Sequence, residues 1–385
     1  MRSVQGHVEE RRGHSSRASD QASNQTRVLI DARPLQGADS LRGVGTYVRG
    51  LLGGLLEIGY GDRLTLLVDG GLPAPGFDLP LVGVRRRYRG RAALYEDAVV
   101  MGGDLERLRP SLYHATSLRL PGRAPCPLVV TLHDLIPWAY RGRGLRGERL
   151  RYWPGRRLLR RADAVLAVSD ATAADAQRLA GVEAGRLQVV PEGVSSVFQP
   201  RDDSAPRVAA RFGLQPGYLL YVGSLDARKD PGALLAAWRQ VRSSAPDVRL
   251  VLAGSPGAQA PAQMAGAVRV GQVSEEELAD LYSAAGCLVF PSRYEGFGLP
   301  LLEAMACGCP AVGYANSSLP EVAGEAAELV ADGDAEALGR AAAGMLLEPA
   351  RRDRARRRGI ARARRFSWRR TAELTARAYG SLLHD

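Results

Sequence analysis

The chain has 385 residues, 45% of them apolar and 24% charged, and 52 Lys and Arg against 41 Asp and Glu give a formal charge of +11. At about 150 residues per domain this length predicts two domains, and the apolar share is enough to fill two cores, which excludes a small stapled module and global disorder. The positive excess favours acidic partners without naming one.

The first 26 residues contain no Leu, Ile or Phe from which a signal-peptide core could be built. They are expected to form a disordered polar tail on a cytoplasmic protein. No uninterrupted apolar run approaches the roughly 18 residues of a spanning helix. Cys126, Cys287, Cys307 and Cys309 make neither a disulfide framework nor a zinc spacing, as in a protein of a reducing compartment.

From Arg27 onward, short apolar runs at 27–31, 64–68, 128–132, 164–168 and 187–190 lack the alternation of a half-exposed strand and read as strands buried on both faces. Helical spacing fills 44–58, 92–108, 146–161 and 170–179, so the first half is a parallel sheet with crossover helices. Between Pro191 and Pro216 the texture turns to Pro, Gly, Ser and Asp, with a short helix over 207–212. The strand pattern then restarts at 218–222, 248–253, 268–271, 287–290 and 311–314, alternating with helices at 231–243, 275–284, 299–306 and 335–347. Ser274 with Glu277 three positions on forms a capping box at one helix start. The expected fold is α/β: two Rossmann-like, doubly wound halves facing across a cleft. Its divisions are a tail over 1–26, a first domain over 27–195, a linker over 196–216, a second domain over 217–366 and a terminal helix over 367–385.

The densest chemical signal follows the strand at 287–290: Glu295-Gly296-Phe297-Gly298-Leu299-Pro300, with Glu303 inside the next helix. Gly296 and Gly298 let the backbone approach a ligand, and Pro300 suits a first turn whose amides bind an anion or an oxygen-rich group. Carboxylates such as Glu295 and Glu303 accept hydrogen bonds in pairs, which suits vicinal hydroxyls of a ribose or hexose.

A second signal, Gly223-Ser224-Leu225-Asp226-Ala227-Arg228-Lys229, ends the first strand of the second half. Lys229 is the one lysine among 52 basic side chains, and is read as a position that needs a compact ammonium rather than a planar guanidinium. At a strand's carboxyl end, Arg228 and Lys229 are set to neutralise a diphosphate; a solvated cationic turn is the structural alternative.

Gly43-Val44-Gly45 opens the first helix but lacks the third glycine and the tight turn of a dinucleotide fingerprint, so it reads as a loop presenting amides to a phosphate or sugar. His133 alone of five histidines ends a strand of this kind, with a buried, satisfied histidine as the alternative. Asp332-Gly333-Asp334 has the D-x-D spacing of a metal site, but Asp334 is placed to cap the helix at 335–347, and no metal is expected.

Together these motifs resemble the retaining GT-B glycosyltransferases of family four (glycosyl transferases group 1), in the mannosyltransferase-like branch. The carriers are Gly43-Val44-Gly45, His133-Asp134-Leu135, Pro191-Glu192-Gly193-Val194, Gly223-Ser224 with Arg228-Lys229, the E-x7-E pair Glu295 and Glu303, and Ser318-Leu319-Pro320-Glu321-Val322. The resemblance implies a nucleotide-diphosphate sugar as co-substrate, with no separate cofactor. The donor sits mainly on the second half, at Gly45, Ser224, Arg228, Lys229, Glu295, Gly296, Phe297, Gly298, Leu299 and Glu303. It further implies that Glu295 meets the sugar, Glu303 the ribose, Arg228 and Lys229 the diphosphate, and His133 the sugar or its phosphate, with the terminal helix crossing back onto the first domain. Relatives commonly carry a basic residue at the position of Ser224 and Asn at that of Glu192, which leaves the sugar open, GDP-mannose being the preferred donor.

Arginine clusters at 85–87, 141–161 and 351–370. The last reads as a solvated face. The middle one, with Leu145, Leu150, Tyr152, Trp153, Leu158 and Leu159, reads as an amphipathic surface for anionic lipid, suited to a lipid-linked acceptor; glycan and natural-product acceptors stay open. A non-enzymatic basic module would explain the charge but not Glu295, Glu303 and Lys229 together, and an epimerase of the same fold would transfer nothing to an acceptor. Nucleic acid is not expected as a partner.

Overall fold

The structure, a computed structural model, describes residues 27–37, 43–88, 91–140, 145–255 and 266–383; the polar tail over 1–26, residues 141–144 of the basic segment and the last two residues of the terminal helix lie outside them. The first half is a seven-stranded sheet, all parallel, in the order β3-β2-β1-β4-β5-β6-β7. Its strands are β1 (Val28–Asp31), β2 (Leu64–Asp69), β3 (Leu81–Val84), β4 (Leu112–Ala115), β5 (Leu128–Leu132), β6 (Ala164–Ala167) and β7 (Leu187–Val189). The helices between them are α1 (Gly43–Glu57), α2 (Arg91–Leu108), α3 (Ile136–Ala139), α4 (Arg146–Leu159) and α5 (Asp170–Asp175).

In the second half, β8 (Leu219–Val222), β9 (Leu250–Ala253), β10 (Ala267–Gly271), β11 (Cys287–Phe290), β12 (Ala311–Tyr314) and β13 (Glu328–Val330) form a parallel sheet in the order β10-β9-β8-β11-β12-β13. Its helices are α6 (Ser204–Phe212), α7 (Pro231–Ser244), α8 (Glu275–Ala284), α9 (Leu299–Ala306), α10 (Leu319–Ala323), α11 (Ala335–Leu347), α12 (Pro349–Ala363) and α13 (Trp368–Leu383). The α/β expectation of two doubly wound parallel sheets therefore holds. Helices cover both faces, so β1, β5, β8 and β11 are buried along their whole length, which is why each reads as an unbroken apolar run.

Several elements depart from the sequence reading. β3, β4 and β13 were not foreseen: β3 is an edge strand whose Leu81 is exposed, β4 carries His114 among its apolar residues, and β13 is half-buried throughout. The helix predicted over 170–179 ends at Asp175 and continues as a wider π-type turn to Ala180, closed by Gly181 at φ 68°. The helix predicted over 207–212 begins at Ser204, and Arg207 ties it to Asp280 of α8 at 2.7 and 2.8 Å. Gly43, Val44 and Gly45 are not a loop: they are the first turn of α1, whose amides have no partner inside the helix. The Ser274–Glu277 capping box and the Asp334 cap of α11 are both present.

In both sheets the order reverses beside the first strand, between β1 and β4 and between β8 and β11, and ligands of such sheets bind outside the strand ends at that point. α13 leaves the second half and packs on α1 of the first. Trp368 meets the Tyr47 ring edge-on at 5.8 Å, Thr371 donates to the Pro191 carbonyl at 2.7 Å, and Tyr379 contacts His114 at 2.5 Å. One hydrophobic cluster thus runs from β1 and α1 through α13 to α9.

The α1–α13 contact predicts opposite signs for two adjacent glycines. A Cβ at Gly54 would stand 2.3 Å from the Trp368 carbonyl oxygen, whereas one at Gly53 meets nothing within 4 Å. Urea unfolding should show Gly54→Ala destabilising by about 1–3 kcal/mol and Gly53→Ala stabilising by about 0.5–1 kcal/mol, the ordinary gain of alanine in a helix.

Candidate active site

The loop after β8 is built around Asp226. Its Oδ1 accepts from the amides of Arg228 (3.1 Å) and Lys229 (3.3 Å), while the Ser224 hydroxyl donates to its Oδ2 at 2.8 Å. Ser224 is thus part of the brace that holds Asp226. Asp230, in the left-handed region at φ 46°, then caps α7 through the Ala233 amide.

The turn aims both cations at Glu295, which stands on the loop after β11. Arg228 Nη1 donates to Glu295 Oε1 at 2.8 Å and to the Tyr294 carbonyl at 2.8 Å. Lys229 Nζ also donates to Glu295 Oε1 and lies 4.7 Å from the Phe290 ring centre. Burial alone would raise the Glu295 carboxyl, but Lys229 and then Arg228 overcome it and hold the group down at about 2. Burial likewise works against the charge on Arg228, and Glu295 with Asp226 and Asp134 more than offsets it.

The Glu295 loop is shaped by hydroxyls. Ser318 donates to the carbonyls of Glu295 (3.1 Å) and Phe297 (2.7 Å), and Ser317 accepts from the Glu295 amide at 2.9 Å. Phe297 itself turns into the core against Phe366, so only its backbone borders the site, and Leu299 packs on the same core. Gly298 sits at φ 106°, where L side chains are strained, and leads into α9. Glu303, on α9, accepts from the Tyr282 hydroxyl at 3.1 Å, and burial pushes its carboxyl up to about 7. Glu295 and Glu303 therefore have no partner in common: one is held ionised by cations, the other sits in apolar surroundings.

Across the cleft, His133 ends β5. Its Nε2 donates to the Thr116 carbonyl at 3.1 Å, and Nδ1 lies 3.2 Å from Glu192 Oε1, with the Tyr47 ring 4.8 Å away edge-on. Glu192, buried at this point, is the fixing partner of the histidine. Asp134 accepts from the Ile136 amide at 2.9 Å, and burial raises its carboxyl. His133, Asp134 and Arg228 border a cavity of about 540 Å³ that Val44, Glu148 and Tyr152 also line.

The halves meet directly at Gly296. A Cβ there would fall 1.9 Å from the His133 carbonyl oxygen, and the Gly296 carbonyl accepts from Ser169 (2.6 Å) and Thr172 (3.1 Å). Glu321 accepts from the amides of Asp170 and Ala171 at the start of α5, and Tyr294 bonds Asp175. Ser169, Thr172, Asp175 and Tyr282 were not singled out in the sequence, since their partners lie far away along the chain; Asp226 was given no role there either, although an Asp ahead of a short helical turn is the signal of a cap. The D-x-D pair serves structure: Asp334 caps α11, while Asp332 accepts from Asn316 at 2.7 Å and faces Arg293 at 3.5 Å.

Residues 206–362 match the family described as Glycosyl transferases group 1, and residues 41–198 the one described as Glycosyltransferase Family 4. An O-antigen chain mannosyltransferase B of Escherichia coli is 33% identical over 288 residues, 70% of this chain and 74% of the relative. The chain belongs to the group 1, family 4 glycosyltransferases. A D-inositol 3-phosphate glycosyltransferase of Segniliparus rotundus is 35% identical over 215 residues, 51% of this chain and 47% of that relative. Among solved GT-B structures, a sucrose-phosphate synthase from Thermosynechococcus elongatus superposes with a TM-score of 0.74 over 94% of this chain and 99% of that one, at 25% identity.

For this glycosyltransferase, Glu303 makes a pH-dependent contribution to stability. The carboxyl ionises near 4.5 when unfolded and near 7 when folded, so between those values the folded chain keeps a proton that the unfolded chain has lost. Stability contributed at low pH is therefore lost as pH rises through about 7. Glu303→Gln has no such proton, and melting at a series of pH values should show the variant gaining on the wild type across that window.

Proposed function

We propose that the chain is a retaining, metal-independent hexosyltransferase that moves a sugar from a nucleotide-diphosphate donor, with GDP-mannose preferred, to a hydroxyl of a glycan, a lipid-linked sugar or a natural product. The observation that carries the reading is the convergence of Arg228, Lys229 and Glu295 at the β8–β11 reversal, with Arg228 at the edge of a cavity of about 540 Å³ that is lined mostly by the first half. In this reading the donor lies on the second domain (217–366) and the acceptor on the first (27–195), with the linker (196–216) and terminal helix (367–385) joining them. The mannosyltransferase relative supports the preference for mannose.

Breaking the anomeric carbon–phosphate bond builds negative charge on the leaving diphosphate, and Arg228 and Lys229 stand ready to neutralise it. First-turn amides of α1, Gly45 among them, approach from the other side, and Glu303 takes the ribose hydroxyls. The acceptor oxygen bonds the anomeric carbon on the face that the phosphate leaves, and its proton passes to the departing phosphate oxygen. Glu295, held at about 2 between two cations, orients the sugar and those cations rather than attacking. His133 presents the edge of its ring to the sugar. With both D-x-D carboxylates used in the fold, the diphosphate charge falls to side chains and amides. Room for an acceptor beside the cations is what an epimerase would not need.

A thermal-shift panel of GDP-mannose, UDP-glucose, UDP-N-acetylglucosamine and dTDP-rhamnose in EDTA tests this. GDP-mannose at about 100 times its Kd should add about 2.7 kcal/mol of stability, and Lys229→Ala and Glu303→Ala should each abolish the gain. No shift with any donor would overturn the donor site, and a shift that appears only when metal is added back would overturn metal independence.

A further inference from the structure

Among the described residues nine large apolar side chains are exposed, and five of them lie on two touching helices of the first half: Tyr95, Val99 and Val100 on α2, Leu150 and Trp153 on α4. Val99 is 81%, Leu150 64% and Trp153 48% exposed, and the Tyr95 hydroxyl donates to the Leu150 carbonyl at 2.9 Å, which joins the two sets into one patch. The others, such as Leu56 and Leu347, lie on other elements, as is normal for a soluble surface.

The basic charge surrounds this patch. Along α4 the exposed Arg146, Leu150, Trp153 and Arg157 follow helical spacing, with exposed Arg160 just past the last turn and Glu148 and Arg149 exposed beside this stripe, so Leu150 and Trp153 sit between Arg146 on one side and Arg157 and Arg160 on the other. Arg85 and Arg87 are exposed just ahead of α2. Of the nearby acids, Glu96 accepts from the amides of Arg87 and Tyr88, Glu106 faces Arg123 and Asp104 pairs with Arg86, while Glu148, also exposed on α4, lies at the cavity. The adjacent stripe of the same helix, Leu145, Glu148 and Tyr152, lines the cavity beside Arg228. This corrects the amphipathic reading of 141–161: Leu145 and Tyr152 belong to the cavity, Leu158 and Leu159 to the core, and α2 supplies the apolar area that α4 alone lacks.

We infer that the joined outer faces of α2 and α4 dock on an anionic lipid bilayer, setting the mouth of the cavity at the headgroups, where a lipid-linked acceptor presents its sugar. Aromatic and aliphatic tips with arginines around them are the chemistry of an interfacial contact, and the positive rim complements an acidic leaflet. No helix among the described residues is long and apolar enough to cross a membrane, so the contact is peripheral. The lipid-linked part of the inference extends the transferase reading, whereas the docking face is independent of it.

The test is co-sedimentation of the full chain with phosphatidylcholine vesicles with and without phosphatidylglycerol, free of any sugar substrate. Wild type should pellet only with the phosphatidylglycerol vesicles. Leu150→Glu with Trp153→Glu should fall to the level seen on phosphatidylcholine, while Leu347→Glu, on the other half, should pellet like wild type. Wild type staying in the supernatant would overturn the inference, as would binding that high salt abolishes but the double variant leaves intact, since that is a purely ionic contact. Donor thermal shifts on the same samples report folding and the donor site separately, so failure of docking and failure of the transferase reading are told apart.

Discussion

Placing Arg228 and Lys229 side by side in a largely buried turn costs several kcal/mol per ion unless a counter-charge is fixed against them. Glu295 is that counter-charge, brought from the loop after β11 to the loop after β8 across the point where the sheet order reverses. The rest of the site is built to hold those two loops. Asp226 and Ser224 fix the cationic turn, Ser317 and Ser318 fix the backbone around Glu295, and Arg228 reaches the Tyr294 carbonyl to tie one loop to the other. A single carboxylate oxygen serving two cations leaves them with capacity for a further anion, as the proposed diphosphate site requires.

The same loop sets the relation between the halves. Gly296 touches the His133 carbonyl with no room for a side chain, and its own carbonyl is taken by Ser169 and Thr172 of the first half. The strand ends of the two sheets are thereby brought together, and Arg228 of one half and His133 of the other border the same cavity. α13 holds the far side of the same arrangement against α1, so the cleft is fixed both at its mouth and behind it.

Much of this was legible in the sequence because parallel strands covered on both faces must be apolar throughout, and β1, β5, β8, β11 and β12 announced themselves in that way. β4 did not, since Leu112-Tyr113-His114-Ala115 carries a histidine that is satisfied only by Tyr379 and Thr131 from distant segments. Lys229 was visible through its uniqueness, and Glu295 and Glu303 through their spacing around two glycines. What the spacing could not convey is that the two carboxylates have different surroundings, one against cations and one beneath Tyr282. Nor could periodicity alone assign the apolar residues of α4, because which of its stripes meets the cavity and which meets solvent depends on α2 and the β5 loop.

The central claim is that Arg228 and Lys229, organised by Glu295, receive the diphosphate of the donor. A crystal structure of the chain with a bound nucleoside diphosphate tests it most directly. The account predicts phosphate oxygens within hydrogen-bond distance of Lys229 Nζ and the Arg228 guanidinium, with the ribose hydroxyls on Glu303. Density for the nucleotide elsewhere, with the Arg228–Glu295–Lys229 cluster closed and untouched, would contradict it.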